Sequence, residues 1–495
     1  MGDGSSRTVP NHEPHEKNHF GNPGTSHETT YDATPGATRT GTLTIAGLTL
    51  AVTQAGAGYV AAQPITIVEN GGAPIAVDRA GNVFFQGSDP EGQPGIKKWS
   101  AAAGSITTIL PGARNTPALA VDGVGNLYFA DREGSIQKWT ASDGSLATLL
   151  SGPETVFPLA ADGPGNVYFV QGHGYIKKWR AHDGTVSDVR WDRDVSALAV
   201  DGVGGLYAVS YVYLYLGDEA PDMHVSRFGE GSSRRNRLVS IAYGAYAYLG
   251  LAVDPAGAVY YSESVWHAGE VNKIKKWTYN LGEWSPDKTG ATLVALVPGQ
   301  IILSLAVDPV GNVYWVNAGV NAGPDSTARI RVLPRASVDS TPASHGAGAG
   351  SGSIPVVLPA AASSRSPFTP TSDQPSLSAG GIPDGAADYS FTANATGAAR
   401  AAHLTVLGVP IAITQAAGPE PVLTGPVRLA NGSLQAAFTG MPGAAYSVWS
   451  STDVALPFSA WTAAGPATET APGQFQFTVT PSPASPLGFY RVLSP

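Results

Sequence analysis

Read for its apolar and polar positions, the chain keeps returning to one phrase. Leu119 to Trp139 reads LAVDGVGNLYFADREGSIQKW: a short apolar run, an Asp, a polar turn with Gly, an aromatic run, a polar gap, and a strand-like piece ending in Lys-Trp. Five relatives follow the same pattern: PIAVDRAGNVFF from Pro74, LAADGPGNVYFV from Leu159, LAVDGVGGLYAV from Leu198, LAVDPAGAVYYS from Leu251 and LAVDPVGNVYWV from Leu305. Their aspartates, Asp78, Asp122, Asp162, Asp201, Asp254 and Asp308, are 44, 40, 39, 53 and 54 residues apart. Short apolar runs bounded by turn residues are strand signals. Four such runs per unit, at a period of about 40, predict the blades of a β-propeller.

Within each unit, strand a is LAVD, strand b NLYFA, strand c IQKW and strand d LATLL or its equivalent. The Asp-x-x-Gly between a and b is turn chemistry: the carboxylate accepts turn N–H groups and Gly tolerates positive φ. A catalytic aspartate serves once, whereas this one occurs six times, so it is read as scaffold. Trp99, Trp139, Trp179 and Trp277 on strand c are read as packing between blades, and the lysines beside them as solvated. The sixth unit has no strand d after RIRVLP, and a spare strand, Pro64–Val68, precedes the first. That strand is expected to complete blade six and close the ring, which removes exposed sheet edges.

The AVD-x-x-GN-[LV]-[YF] repeat over residues 63–335 resembles the NHL-type six-bladed propellers and their gluconolactonase-like and streptogramin-lyase-like relatives. That resemblance implies a fold, not an activity.

A second repeat flanks the first. RTGTLTIAGLTLAVTQAG (from Arg39) matches RAAHLTVLGVPIAITQAA (from Arg400) at a constant offset of 361. The closing Thr-Gln-Ala and FTANATGAAR resemble the BACON domain, which implies a β-sandwich in bacterial surface or secreted proteins and a carbohydrate or mucin ligand. The expected organisation is a disordered tail (1–38), a truncated BACON-like hairpin (39–62), the propeller (63–335), a flexible linker (336–353), a BACON-like sandwich (354–418) and a C-terminal β module (419–495). The fold class is thus all-β: a six-bladed propeller flanked by small β-sandwich-like modules.

Composition narrows the function. Sixty Gly and 39 Pro with only 14% charged residues suit many short strands. A net charge of −9 without a basic cluster speaks against nucleic acid as partner. No cysteine means no disulfide, thiol nucleophile or Cys-based zinc site. No apolar run is long enough for a transmembrane segment. No signal peptide is visible, and the truncated first module suggests a missing start. The tail holds His12, His15, His19 and His27, read as a polar tail without a metal site. Asn394-Ala395-Thr396 and Asn431-Gly432-Ser433 match the glycosylation sequon.

The a–b turns are uniform while the b–c segments vary, so a site is expected on the b–c face, where function is grafted on a constant scaffold. The candidates are Tyr211, Tyr213, Tyr215, Asp222, His224, Tyr246, Trp266, His267 and Glu270. Aromatic faces stack on sugar C–H faces and acids bond hydroxyls, so the expected function is extracellular or cell-surface binding of a glycan or a protein by a monomer. No catalytic residue, metal or cofactor is assigned. The alternatives are a lyase or lactonase-like enzyme using His224 or His267 with a carboxylate, and a protein–protein scaffold.

Overall fold

Six antiparallel four-stranded sheets follow one another along the chain, at 72–111, 118–150, 156–191, 195–241, 251–295 and 300–333, the last joined by Ile65–Val68. The computed structural model describes residues 39–45, 48–89, 92–113, 116–131, 133–152, 156–172, 174–192, 195–202, 204–212, 222–228, 236–241, 250–263, 271–278, 290–319, 328–358, 368–481 and 488–493. In blade two, strands a to d are Ala118–Val121, Leu127–Ala130, Ile136–Trp139 and Leu146–Leu150, each paired with the next. Each strand a touches strand a of the next blade, and that of blade six returns to that of blade one. The fold is therefore a closed β-propeller.

Closure works as the spare strand suggested. Val68 pairs with Ile330, Thr66 with Arg331 and Ile65 with Val332. The buried side chains of Val68, Ile330 and Val332 join those of Ile75, Phe85 and Trp99 from blade one in a single cluster. The seam is thus an apolar core and not only a row of hydrogen bonds.

The repeated Asp is a turn anchor. Asp122 Oδ1 accepts from the Val124 and Asn126 amides at 3.0 and 2.9 Å, and Oδ2 from Asn126 Nδ2 and the Tyr128 hydroxyl at 2.8 and 3.0 Å. Asp308 repeats all four contacts. Gly125 lies at φ 92° and Gly311 at 91°, in the left-handed region that glycine reaches without strain. The strand-c tryptophans pack backwards: Trp139 lies against Phe84 of blade one, with ring centroids 6.3 Å apart, and Trp99 enters the seam cluster.

The lysines beside them are not simply solvated. Lys98, Lys138, Lys178 and Lys276 hold their ammonium groups 5.0 to 5.7 Å from the ring centroids of Phe84, Tyr128, Tyr168 and Tyr260. The cross-strand register places each lysine opposite its ring, so the long side chain covers the aromatic face. Lys275 goes further: buried, it pairs with buried Glu263 at 2.7 Å.

The flanks depart from expectation. The supposed linker forms strands Ser337–Asp339, Ala343–His345 and the start of Gly350–Val357. Its glycines serve packing: Gly350 and Gly352 pair with Phe391 and Tyr389, and a Cβ at either glycine would run into that ring. The sandwich therefore starts before residue 354. It also takes in Tyr59–Ala61, which pairs with Ser337–Asp339. Residues 59–68 and 330–339 thus form one antiparallel ribbon that begins in the sandwich and ends in the seam, with Ala62 N–H bonded to Ala336 O at 2.9 Å between. In topology the propeller is an insertion between two strands of the sandwich.

The two repeat hairpins are superimposable in register. Arg39↔Gln54 through Ile45↔Leu48 matches Arg400↔Gln415 through Val406↔Val409 pair by pair. Both keep the Arg Nε to Gln Oε1 bond, at 2.7 and 2.9 Å. In the downstream copy buried Gln415 also donates to the Ala347, Gly348 and Thr392 carbonyls, which ties the two sheets together. Asn394 is fully buried and donates to the Ala398 and Ala416 carbonyls, which removes it as a glycan acceptor in the folded chain. The C-terminal module pairs a four-stranded and a three-stranded sheet over Phe438, Tyr446, Val448, Phe475 and Phe477.

Candidate functional site

The six a strands converge at their N-terminal ends on a cavity of about 290 Å3. Antiparallel pairing places these ends beside the ends of the b strands, as Ala118 opposite Ala130 and Val195 opposite Ser210 show. The mouth therefore opens on the b–c face. Ile75, Leu119, Leu159, Leu198, Leu251 and Leu305 line it, one from each blade. They occupy the same place in every unit, so the apolar ring follows directly from the repeat.

The rim is less regular. Phe157 is 48% exposed, a large apolar side chain held in contact with water. Pro74, Pro117 and Pro158 add rigid apolar surface, and Thr116, Ser196 and Ser304 supply hydroxyls. Ser304 Oγ accepts from the Ile75 amide at 3.1 Å and so joins blades six and one. Among the described lining residues there is no carboxylate, ammonium, guanidinium or imidazole. No group of three or more His, Asp or Glu suited to a metal occurs among the described residues. The mouth as described can bind by apolar contact and hydroxyl hydrogen bonds.

Of the candidates named from the sequence, His224 is the one whose side chain is described, and its place is corrected. It lies within strand c of blade four (Asp222–Phe228), opposite Ser210 and Ser240, and is 0% exposed. Sequence placed it on a loop because the LGDEAPD stretch ends without an obvious strand start. In the structure Asp222 already pairs with Val212, so the His is two residues inside the sheet. It faces no solvent and does not reach the mouth, which removes it from the ligand face and from the lyase alternative. Tyr211 sits on strand b opposite Met223. Tyr213, Tyr215, Tyr246, Trp266, His267 and Glu270 lie outside the described residues. The positions 212 and 222 that bracket the blade-four segment are at the mouth end of the hairpin.

Phe157 was passed over in the sequence as the residue ahead of strand a. Part of its signal was available: the other five blades place Ala73, Pro117, Ser196, Leu249 and Leu303 at that step, and an aromatic residue is the odd one out. A buried polar contact joins the end of blade three to blade four, where Ser210 Oγ donates to Asp192 Oδ2 at 2.9 Å.

No family model matches the chain, and no curated protein does. Among solved structures, TolB from Acinetobacter baumannii is similar at 14% identity and a TM-score of 0.35, over 46% of this chain and 56% of its own. A protein provisionally described as a gluconolactonase is similar at 16% identity and a TM-score of 0.37, over 55% of this chain and 92% of its own. The β-propeller domain of the Trilobed protease from Pyrococcus furiosus is similar at 8% identity and a TM-score of 0.36, over 53% and 82%. The fold assignment rests on the strand pairing above.

Proposed function

We propose that this chain is an extracellular or cell-surface binding protein whose propeller takes a ligand, of glycan class, at the mouth on the b–c face. The observation that carries this reading is the cavity where six a strands meet: an apolar ring, an exposed Phe157 and a few hydroxyls. Such a lining suits the C–H face of a sugar ring with hydroxyls bonded at the rim. Among the described lining residues there is no group suited to move a proton, which favours binding over lyase or lactonase chemistry. The BACON resemblance supports an extracellular setting, and the sandwich carries the Thr414-Gln415-Ala416 stretch on which it rests.

A microarray of neutral, sulfated and sialylated glycans, probed with the full chain and with Phe157→Ala, tests the reading. Binding to a defined glycan set, weakened by Phe157→Ala at unchanged melting temperature, is expected. Binding of no glycan, with retention of a protein partner through Phe157 instead, would support the scaffold reading.

A further inference from the structure

The C-terminal sandwich opens into a groove of about 590 Å3 that spans its two sheets. Ser450, Thr462 and Tyr490 line it from the three-stranded sheet, where Ser450 pairs with both of the others. Thr480 lines it from the end of the facing sheet, its hydroxyl 3.1 Å from Ser433 Oγ, and Thr478 contributes at the edge, its hydroxyl accepting from Gln435 Nε2 at 3.4 Å. Leu456 and Ala460 form a third wall on the segment that crosses above, and both are exposed.

That third wall is held in place from outside. Trp461 Nε1 donates to the Leu456 carbonyl at 3.2 Å. Phe458 meets Trp449 edge-on at 5.1 Å, with the Arg491 guanidinium 5.6 Å from its centroid. The aromatic cluster on the outer face of the sheet thus fixes a loop whose other side forms groove. A pre-set wall spares a ligand the cost of ordering it.

The lining selects by chemistry. Hydroxyls donate and accept, so they match partners that do both. Among the described lining residues there is no carboxylate, ammonium, guanidinium or imidazole to repay the desolvation of an ionic ligand. The Tyr490 ring and Leu456 add apolar surface. We propose that this groove is a second carbohydrate site, for a neutral, polyhydroxylated, linear oligosaccharide. It rests on the carbohydrate reading of the chain but not on the propeller mouth.

The test uses the full chain and four neutral hexasaccharides, of glucose in α-1,4 and β-1,4 linkage, of xylose and of N-acetylglucosamine, with a sulfated hexasaccharide as control, by calorimetry. Ala460→Trp fills the groove from an exposed turn, and Thr462→Val removes one hydroxyl at nearly constant volume. At least one neutral hexasaccharide should bind the wild type and lose about tenfold or more in affinity with Ala460→Trp, the order expected when a pocket is blocked. Thr462→Val should weaken it less, Phe157→Ala should leave it unchanged, and the sulfated control should not bind. No neutral hexasaccharide bound, equal binding of the sulfated one, or indifference to both groove variants would each overturn the proposal. Loss with Phe157→Ala alone would overturn the groove and leave the mouth standing, whereas loss with Ala460→Trp alone supports the groove for that sugar and leaves the mouth to its own array test.

Discussion

Val68 and Ile330, from opposite ends of the propeller segment, pair across the seam, both buried in the cluster that joins blade six to blade one. The strand that Val68 ends closes the ring formed by the residues between them. Val68→Ala should therefore cost the propeller about 1–3 kcal/mol, the loss of buried methyl groups plus a cavity. Urea unfolding followed by tryptophan fluorescence measures it. A change within error of zero would mean that the seam does not hold the ring.

The ribbon predicts a separable effect. Deleting residues 1–58 removes the upstream hairpin and leaves 59–68 paired. Deleting 1–62 also removes Tyr59–Ala61 and buried Ala62 from the sandwich while sparing Ile65–Val68. Calorimetry should show the sandwich transition lowered by the second truncation and both transitions lowered when 1–70 is removed. A sandwich indifferent to the loss of 59–62 would count against the inserted topology.

Gly352 faces Tyr389 across the sheet, where a Cβ would meet the ring. Gly352→Ala should destabilise the sandwich by about 1–3 kcal/mol, the usual cost of overpacking. The same reasoning predicts that limited proteolysis spares 336–353. Early cuts there, or a neutral Gly352→Ala, would restore the reading of that stretch as a tether.

Alkaline pH probes the repeated turns. Burial first, and then the neighbouring Asp carboxylate, raise the pKa of Tyr128, Tyr260 and Tyr314 above the ordinary phenol value. A folded pKa above the unfolded one gives stabilisation that is complete below the unfolded value of about 10 and lost as pH rises through the folded one. Each such tyrosine should withdraw up to about 1.4 kcal/mol per pH unit in that window. Urea midpoints between pH 9 and 11 should fall steeply, and less so in Tyr128→Phe. An absorbance titration of the folded chain in which Tyr128→Phe removes a phenol that ionises near pH 10 would contradict this.

The propeller was legible because its information is local and repeated: Asp122, Gly125 and the aromatic position of Tyr128 recur at fixed steps, and in all six copies the Asp Oδ1 accepts the amide four residues on. The sandwich boundary was not legible, because Gly350 and Gly352 look like a tether until their cross-strand rings are known. Lys138 looked solvated because its ring partner, Tyr128, is on another strand. His224 was misplaced for the opposite reason: its strand begins in a polar stretch, and only the pairing of Asp222 with Val212 shows where the sheet starts. The mouth was half legible. Its leucines come with the repeat, but the exposure of Phe157 is a property of the ring as a whole.

Scaffold and site are carried by different residues, and one paired measurement tests that separation. Asp122→Ala strips four hydrogen bonds from a turn and leaves the Tyr128 hydroxyl and two amides without their acceptor. Phe157→Ala removes one exposed ring from the mouth. Affinity for the strongest array glycan and the urea midpoint should be measured for both. Asp122→Ala should lose about 2–4 kcal/mol of stability and keep its affinity. Phe157→Ala should keep its midpoint and lose about 1–3 kcal/mol of binding, as an aromatic anchor does. Glycan affinity that ignores Phe157→Ala, or that falls with Asp122→Ala at unchanged stability, would contradict the assignment of the mouth as the site.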